Sequence, residues 1–454
     1  MDLAIYTVKA AASAIVDPAI APTLIILALI LYFQNRKTSA MQKAIIGENI
    51  NSPLELTASQ IVLGIFGGVL GSVILSYFGV LFDENSGIYM IFIFSILLMF
   101  LKPRFICFSY SGAIIGALSL IVNDFSVLVY GKPAMNGALH IDITSLMTLV
   151  GILHVVEGLL VSVDGHRGAI PVFTNSNGKI AGGFAFKRYW PIPIVIILLT
   201  LINQSSGGAA DTTSIYTPDR WPFINSPYAL SMLKNAAIYM APFYAMLGYS
   251  SITFTRTKRQ KAVSSGIGIF IYGVVLTGVA QLAGFGLILK VFVVIFAPLA
   301  HEFMLRVQSY MELKNEPKYV SETEGIMVLE VAPNSPAAVM GIKSGDTLTE
   351  INDIKIDDEN DVVESIKQTI NKIVVRIRKV DGTEKQFDYG NFAAGQRLGV
   401  VFVPRHVPKD STVVAYDDMK FKDFLDKIDE ENPSEKQDSP EEKHDDHNEN
   451  KDDK

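Results

Sequence analysis

Two pairs of potentially reactive side chains stand out in the apolar first two-thirds of this sequence. His154 and Glu157 lie three residues apart within an uncharged stretch, and His301 is followed directly by Glu302. Side chains three residues apart share one face of a helix, so His154 and Glu157 can meet. Histidine and glutamate are also the residues with which metalloproteases bind zinc and activate water. These two pairs are therefore the first candidates for catalytic or metal-binding residues.

The sequence does not complete the zinc motif of a metalloprotease. That motif, His-Glu-x-x-His, needs a second histidine four residues after the first, but the residue at that distance from His301 is Leu305. The chain is similar to site-2 intramembrane proteases in its Asp164-Gly165 and His301-Glu302 fragments, but their order is reversed. We also expect His301 at the membrane rim, because it follows the last apolar run. We predict no catalytic residue, metal ligand or cofactor, and keep such a protease as an alternative.

The pair of His154 and Glu157 leaves two interpretations open. A histidine and a carboxylate inside a membrane span are costly and for that reason often functional. They can form a structural hydrogen-bonded pair, or they can line a proton or ion path. The second possibility corresponds to a transporter with a regulatory domain.

Other familiar sites are missing from the sequence. It contains neither a Gly-x-x-x-x-Gly-Lys-Ser/Thr phosphate loop nor a Gly-x-Ser-x-Gly nucleophile elbow. The basic residues are scattered between apolar runs, which excludes a typical nucleic-acid-binding surface. A single cysteine excludes a disulfide framework within the chain.

Long apolar runs dominate residues 1–310. The chain has 454 residues, 49% apolar and 19% charged, with a net charge of -7. A helix needs ~20 apolar residues to cross a bilayer. The runs lie near 17–34, 59–82, 88–101, 105–122, 142–163, 190–203, 236–254, 264–282 and 285–300. We predict an α-helical polytopic membrane domain over residues 1–310, with seven to nine spans and nine as the preferred number.

The loops between these runs differ in charge. Thirteen lysines and arginines lie on one side and four on the other. Because basic residues of short loops stay in the cytoplasm, the side with thirteen is predicted to be cytoplasmic. With nine spans, everything after residue 300 is then cytoplasmic.

Two segments of this domain have a distinctive local pattern. Residues 158–193 contain turn residues and alternating aromatic residues, which predict a cytoplasmic β-hairpin-like loop near 164–188. The glycines Gly64, Gly67, Gly68 and Gly71 lie inside one apolar run, where small residues allow close helix packing or self-association of the chain.

The pattern changes from Gly325 onward to short β-rich runs and one helical stretch, 358–368. Asp381-Gly382 joins two such runs and predicts a hairpin. Here the chain resembles a PDZ domain of the bacterial kind, and we place it at residues 311–405. The resemblance is carried by Ser335-Pro336-Ala337-Ala338, Gly341-Ile342-Lys343, Gly345-Asp346 and Ile351-Asn352.

The resemblance implies a small α+β fold that binds peptides. In such domains an extended peptide adds to a sheet edge beside a helix, and backbone N–H groups capture a carboxylate. The family's apolar-Gly-apolar loop matches Leu398-Gly399-Val400, which requires a permuted strand order. On the helix, the candidate peptide-binding residues are Val362, Val363 and Ile366.

Residues 410–454 form an acidic, lysine-containing tail with almost no apolar residue after Ile428. Such a segment cannot bury enough surface to offset its conformational entropy. We predict that this tail is disordered.

Taken together, the His154-x-x-Glu157-Gly158 segment, the loop 158–193, the multispan body and the C-terminal module resemble the MinJ family of Firmicute division proteins. The resemblance implies a non-enzymatic membrane adaptor in division-site selection. Its cytoplasmic PDZ-like domain would link a DivIVA-like polar scaffold to a MinD-like division inhibitor. The implied location is the cell membrane, and no nucleic acid is expected as a partner.

Overall fold

The computed structural model describes residues 2–47, 50–101, 107–133, 139–176, 179–201, 215–233, 236–322, 324–393, 395–405 and 414–415. Within these residues the helices are α1 (Leu3–Val16), α2 (Ala21–Ile46), α3 (Pro53–Phe78), α4 (Met90–Leu101), α5 (Phe108–Ser119), α6 (Ser126–Tyr130), α7 (Ile143–Asp164), α8 (Pro227–Leu233), α9 (Lys258–Ala280), α10 (Leu287–Lys314), α11 (Pro336–Val339) and α12 (Glu359–Gln368). The strands are β1 (Leu81–Asp83), β2 (Ile170–Ser176), β3 (Lys179–Leu201), β4 (Ala236–Thr253), β5 (Tyr319–Val320), β6 (Ile326–Val331), β7 (Thr347–Ile351), β8 (Ile354–Lys355), β9 (Asn371–Arg378), β10 (Glu384–Phe392), β11 (Val400–Phe402) and β12 (Val414–Ala415).

Polar side chains define where the long helices of the body begin. Ser52, Asp142 and Thr257 each accept a hydrogen bond from the backbone N–H three residues further on, at the starts of α3, α7 and α9. Such caps satisfy N–H groups that have no partner inside the helix. Within the described residues, five helical segments are long and apolar enough to cross a membrane. They are Pro53–Phe78, Phe108–Tyr130, Ile143–Asp164, Lys258–Phe285 and Leu287–Lys314. A sixth would be α1 with α2, which are bent by 66°.

Two of the nine predicted spans are not helices. The runs 190–203 and 236–254 fall on β3 and β4, which pair antiparallel along their length, from Phe184↔Thr253 to Leu201↔Ala236. Pro191, Pro193 and Pro242 lack the N–H that a helix interior requires. A hydropathy window measures how apolar a segment is, but it does not register that prolines disfavour a helix. The prediction of nine helical spans is therefore wrong.

The paired strands β3 and β4 are central to the body. Ile192, Ile194 and Ile196 of β3 are buried, and α3 packs directly on the β3 backbone. A Cβ atom on Gly64 would lie 2.2 Å from the Pro191 carbonyl oxygen, and one on Gly68 would lie 2.3 Å from that of Pro193. The close packing predicted for these glycines thus brings α3 against a strand.

The loop predicted to be hairpin-like contains β2 and the start of β3, which pair antiparallel from Ile170↔Ala185 to Ser176↔Lys179. Two residues of the acidic tail, Val414 and Ala415, form β12 and run parallel to β2. The rest of the tail lies outside the described residues, so its disorder stays a prediction.

The C-terminal module is a small sheet with two helices. Its strand order is β10-β9-β7-β6-β11, with β8 paired to β7. β11 is the last strand of this sheet in sequence, yet it pairs antiparallel with β6, the first strand of the sheet, in agreement with the permuted order that the candidate loop requires. Ser335 caps α11 and Asp358 caps α12. Buried aliphatic side chains, among them Ile326, Leu348 and Ile377, form its core.

The module packs against one end of the helical body. Tyr319 and Val320 of β5 pair with Gly182 and Ala181 of β3, and the Tyr319 ring lies 5.7 Å from that of Phe184. Burial there raises the pKa of Tyr319. Lys258, the first residue of α9, forms an ion pair with Glu330 of β6. The sheet module and the start of α9 are therefore at the same end.

Candidate functional site

His154 is fully enclosed, and a hydrogen bond to the backbone orients its ring. It projects from α7 with 1% exposure, and its Nδ1 atom lies 2.7 Å from the carbonyl oxygen of Val150. A carbonyl can only accept, so Nδ1 carries the proton and donates it. In the neutral imidazole, the other ring nitrogen, Nε2, then presents a lone pair.

That lone pair faces two residues that the sequence did not connect with His154. The Sγ atom of Cys107, at the start of α5, lies 3.0 Å from His154 Nε2 and 3.5 Å from Nε2 of His301 on α10. The two imidazole rings are 5.6 Å apart. His301 is 7% exposed, so it is enclosed between helices beside His154. We call Cys107, His154 and His301 the Cys-His cluster.

Neighbouring hydroxyl groups leave the lone pair of His154 free. The hydroxyl of Tyr272 donates to the carbonyl oxygen of Ala297 at 2.9 Å, so its oxygen accepts the proton of Ser109 at 2.6 Å. The Ser109 hydroxyl lies 3.4 Å from His154 Nε2 but has no second proton to donate. The imidazole nitrogen is therefore available to the thiol or to a ligand.

Glu157 borders the Cys-His cluster, and Glu302 follows His301 on α10. Glu157 lies on the face of α7 predicted from its spacing, with a carboxylate oxygen 4.0 Å from Nε2 of His154 and 13% side-chain exposure. Glu302 accepts a hydrogen bond from the hydroxyl of Tyr110. The structure thus brings together the two pairs that the sequence treats separately. The sequence offers no spacing signal for Cys107, which is 47 residues from His154.

The Asp164-Gly165 fragment has a different role. The Oδ2 atom of Asp164 accepts hydrogen bonds from Arg188 Nε at 3.1 Å and from Trp190 Nε1 at 2.9 Å, and all three side chains are buried. Nearby, burial lowers the pKa of His166, although the Asp164 carboxylate opposes this shift. Asp164 thus anchors β3 to the end of α7.

The predicted carboxylate-binding loop is held by its carbonyl groups. Leu398 and Gly399 accept hydrogen bonds from Ala337 N at 3.1 Å and Ala332 N at 2.8 Å. Gly399 has φ +75°, and a Cβ atom there would lie 2.2 Å from Cβ of Ser335. Both features require glycine at this position. The loop leads directly into β11, which begins at Val400 and is the edge strand next to β6.

The three predicted peptide-binding residues of α12 differ in environment. Val362 is buried and Ile366 packs against the domain core, together with Leu398 and Val400. Val363 is 48% exposed. Their contact with a peptide stays a prediction, and Val363 is the most exposed of the three side chains.

Comparison with known proteins gives two matches. The family model described as a PDZ domain matches residues 327–377. The chain contains a PDZ domain. "Cell division topological determinant MinJ" of Bacillus subtilis (strain 168) is 21% identical over 258 residues, which cover 56% of this chain and 60% of that protein. The aligned region is thus less than two thirds of that relative. No solved structure matches. The PDZ match ends before Leu398, so it does not include the predicted loop.

Proposed function

We propose that this chain is a non-enzymatic adaptor of the cell membrane that takes part in division-site selection. The observation that carries the proposal is a PDZ domain held at one end of an apolar helical body, in a chain similar to a cell division topological determinant. Such an arrangement presents a peptide-binding surface at a fixed distance from the bilayer.

Exposed apolar stripes support insertion of the body into lipid. On α10, five large apolar side chains recur at helical spacing and are 46–86% exposed: Ile288, Phe292, Ile295, Leu299 and Phe303. A stripe of this size on a water-soluble protein would be an aggregation hazard. In a bilayer the same stripe contacts hydrocarbon at no cost.

The distribution of charge supports a cytoplasmic PDZ domain. Arg167, at the end of α7, lies 3.9 Å from Glu55 at the start of α3. Lys258, at the start of α9, contacts the PDZ domain through Glu330. Two of the loops predicted to be cytoplasmic, those at Arg167 and Lys258, therefore lie at the end that carries this domain. The predicted loop with Lys102 and Arg104 lies outside the described residues. The strands β3 and β4 replace two predicted helical spans. Because they run antiparallel, they return the chain to the side from which it started, as two helical spans would, so the predicted side of the PDZ domain is unchanged.

Peptide binding would use the edge of the PDZ sheet. A partner segment adds to β11 as a further strand, next to the loop at Gly399 and alongside α12. By resemblance, the partners are a DivIVA-like polar scaffold and a MinD-like division inhibitor from the same cell. The adaptor would hold the two together at the membrane.

Two matched variants test this proposal. Val363→Lys places a charge on the proposed groove, whereas Val380→Lys adds the same charge at a residue that is 73% exposed on another part of the domain. We expect Val363→Lys to weaken binding of the MinD-like or the DivIVA-like partner to the full chain in nanodiscs by at least ~10-fold, because a buried contact is worth over 1.4 kcal/mol. Val380→Lys should bind normally.

Equal binding by both variants would contradict the groove assignment. Failure of the unmodified chain to bind either partner would contradict the adaptor itself. Zinc-dependent cleavage of a membrane substrate by the purified chain would also contradict it and favour the protease alternative.

A further inference from the structure

We propose that the Cys-His cluster is a zinc site in which Cys107, His154, His301 and Glu157 bind one Zn²⁺ and clamp helices α5, α7 and α10 together. This site goes beyond the proposed adaptor role and does not depend on it. The sequence predicted no metal ligand, because the three cluster residues are separated by 47 and 147 positions.

The distances between the ligand atoms fit a tetrahedral ion. Zinc binds sulfur at about 2.3 Å and imidazole nitrogen at about 2.0–2.1 Å, which at tetrahedral angles separates sulfur from nitrogen by about 3.5 Å. The sulfur of Cys107 lies 3.0 and 3.5 Å from the two Nε2 atoms. All three ligand atoms lie within 4.8 Å of one another. Small adjustments would seat the ion.

The hydrogen bonding of the cluster fits a metal. A neutral His154 presents a bare Nε2, because its Nδ1 proton is donated to Val150. Metal-binding histidines have this arrangement, in which a carbonyl orients the ring through its other nitrogen. One thiol proton can serve only one of the two imidazoles, whereas a bound ion uses the lone pairs of both and that of the thiolate. In His301, the buried Nδ1 has no hydrogen-bond partner among the described residues, so binding through Nε2 would define its tautomer.

Glu157 lies beside the three-ligand cluster and, after a side-chain movement toward it, would complete the coordination and balance the charge. Its carboxylate lies 4.0 Å from Nε2 of His154, on the side of α7 that faces the cluster. A thiolate and a carboxylate together neutralise Zn²⁺, and the two imidazoles are neutral. A neutral site is what an enclosed location between apolar helices requires. Sulfur and nitrogen ligands in tetrahedral geometry favour zinc over magnesium, calcium or manganese.

The first test is the metal content of the full-length chain, purified in detergent and measured by inductively coupled plasma mass spectrometry. We expect about one zinc per chain, because a closed four-ligand site binds structural zinc tightly. His154→Asn and His301→Asn should each reduce the zinc content to background. His166→Asn is the matched control, since His166 is a partly buried histidine outside the cluster, and it should keep its zinc.

The second test uses the unmodified chain, and therefore does not depend on the folding of a variant. Cys107 is the only cysteine in the sequence, so alkylation with a small maleimide reports on this site alone. We expect Cys107 to be protected as purified and to react after treatment with a membrane-permeant zinc chelator. Replacement of zinc by Co²⁺ should give a thiolate-to-cobalt absorption band, which Cys107→Ser removes.

Three results would overturn the proposal. One is a chain that lacks zinc and does not take it up. Another is alkylation of Cys107 at the same rate with and without chelator, as expected if thiol–imidazole hydrogen bonds alone hold the cluster. The third is stoichiometric iron or copper in place of zinc.

Discussion

Asp164 is the residue on which the junction of α7, α3 and β3 depends. Its Oδ2 atom accepts hydrogen bonds from Arg188 and Trp190, and Arg188 also donates to Ser59 of α3 at 2.8 Å. The carboxylate is fully buried. A buried charge of this kind is tolerated only because its partner neutralises it. The pair therefore holds the start of α3, the end of α7 and the strand β3 in one arrangement.

We expect Asp164→Asn to lower the free energy of unfolding by about 3–5 kcal/mol, because it leaves the Arg188 guanidinium buried without a countercharge. Thermal unfolding of the detergent-solubilised chain measures this loss. Asp353→Asn is the control, since Asp353 is exposed, and it should change stability by less than ~0.5 kcal/mol. Equal melting temperatures for the two variants would contradict the role of Asp164.

At the residue scale, the sequence revealed only local pairs. The spacing of His154 and Glu157 predicted a shared helix face, and both residues lie at the Cys-His cluster. Cys107 and His301 are distant in sequence and meet His154 only after α5 and α10 pack on α7. No periodicity encodes that meeting. A cysteine and histidines among apolar residues, where polar groups are costly, were the available signal.

Among the secondary-structure elements, α3 shows how glycine spacing selects a partner. Gly64 and Gly68 lie against the backbone of β3, while Gly67 and Gly71 face Val156 of α7. The sequence predicted close packing from these glycines but suggested a helical neighbour. That helical neighbour, α7, is present on one side, and the neighbour on the other side is a strand because prolines in the run 190–203 exclude a helix interior.

We expect Gly68→Ala to destabilise the body by about 1–3 kcal/mol, because its Cβ would meet the Pro193 carbonyl oxygen and force α3 away from β3. Gly278→Ala is the matched control, since a Cβ at Gly278 of α9 would meet no atom within 4 Å. There, alanine should raise stability by about 0.5–1 kcal/mol. Thermal unfolding of both variants separates the two effects. Equal changes of the same sign would contradict the proposed contact.

The PDZ domain was predictable at the element scale, because its signals are local. The turn residues Asp381-Gly382 join β9 to β10, and the capping residues Ser335 and Asp358 begin α11 and α12. The candidate loop at Leu398-Gly399-Val400 required a permuted strand order, and the structure pairs β11 with β6. The long strands β3 and β4 were missed because a hydropathy window does not distinguish a buried strand from a helix.

For the whole molecule, we propose that a membrane body presents a PDZ domain to the cytoplasm. Two features support this: the apolar stripe on α10, and the position of the two basic loops at Arg167 and Lys258 at the end that carries the PDZ domain. A cytosolic partner such as the proposed MinD-like inhibitor requires the inner face of the membrane, so the proposed adaptor would work only in this orientation. The zinc site would stiffen the body but would not change its orientation.

The side on which the C-terminus lies is therefore the most direct test. Two fusions of the full chain, one ending in green fluorescent protein and one in alkaline phosphatase, report the two sides of the membrane. We predict fluorescence with the first and no phosphatase activity with the second in growing cells. An active phosphatase fusion, together with a non-fluorescent green fluorescent protein fusion, would place the PDZ domain outside the cell and contradict the proposed orientation.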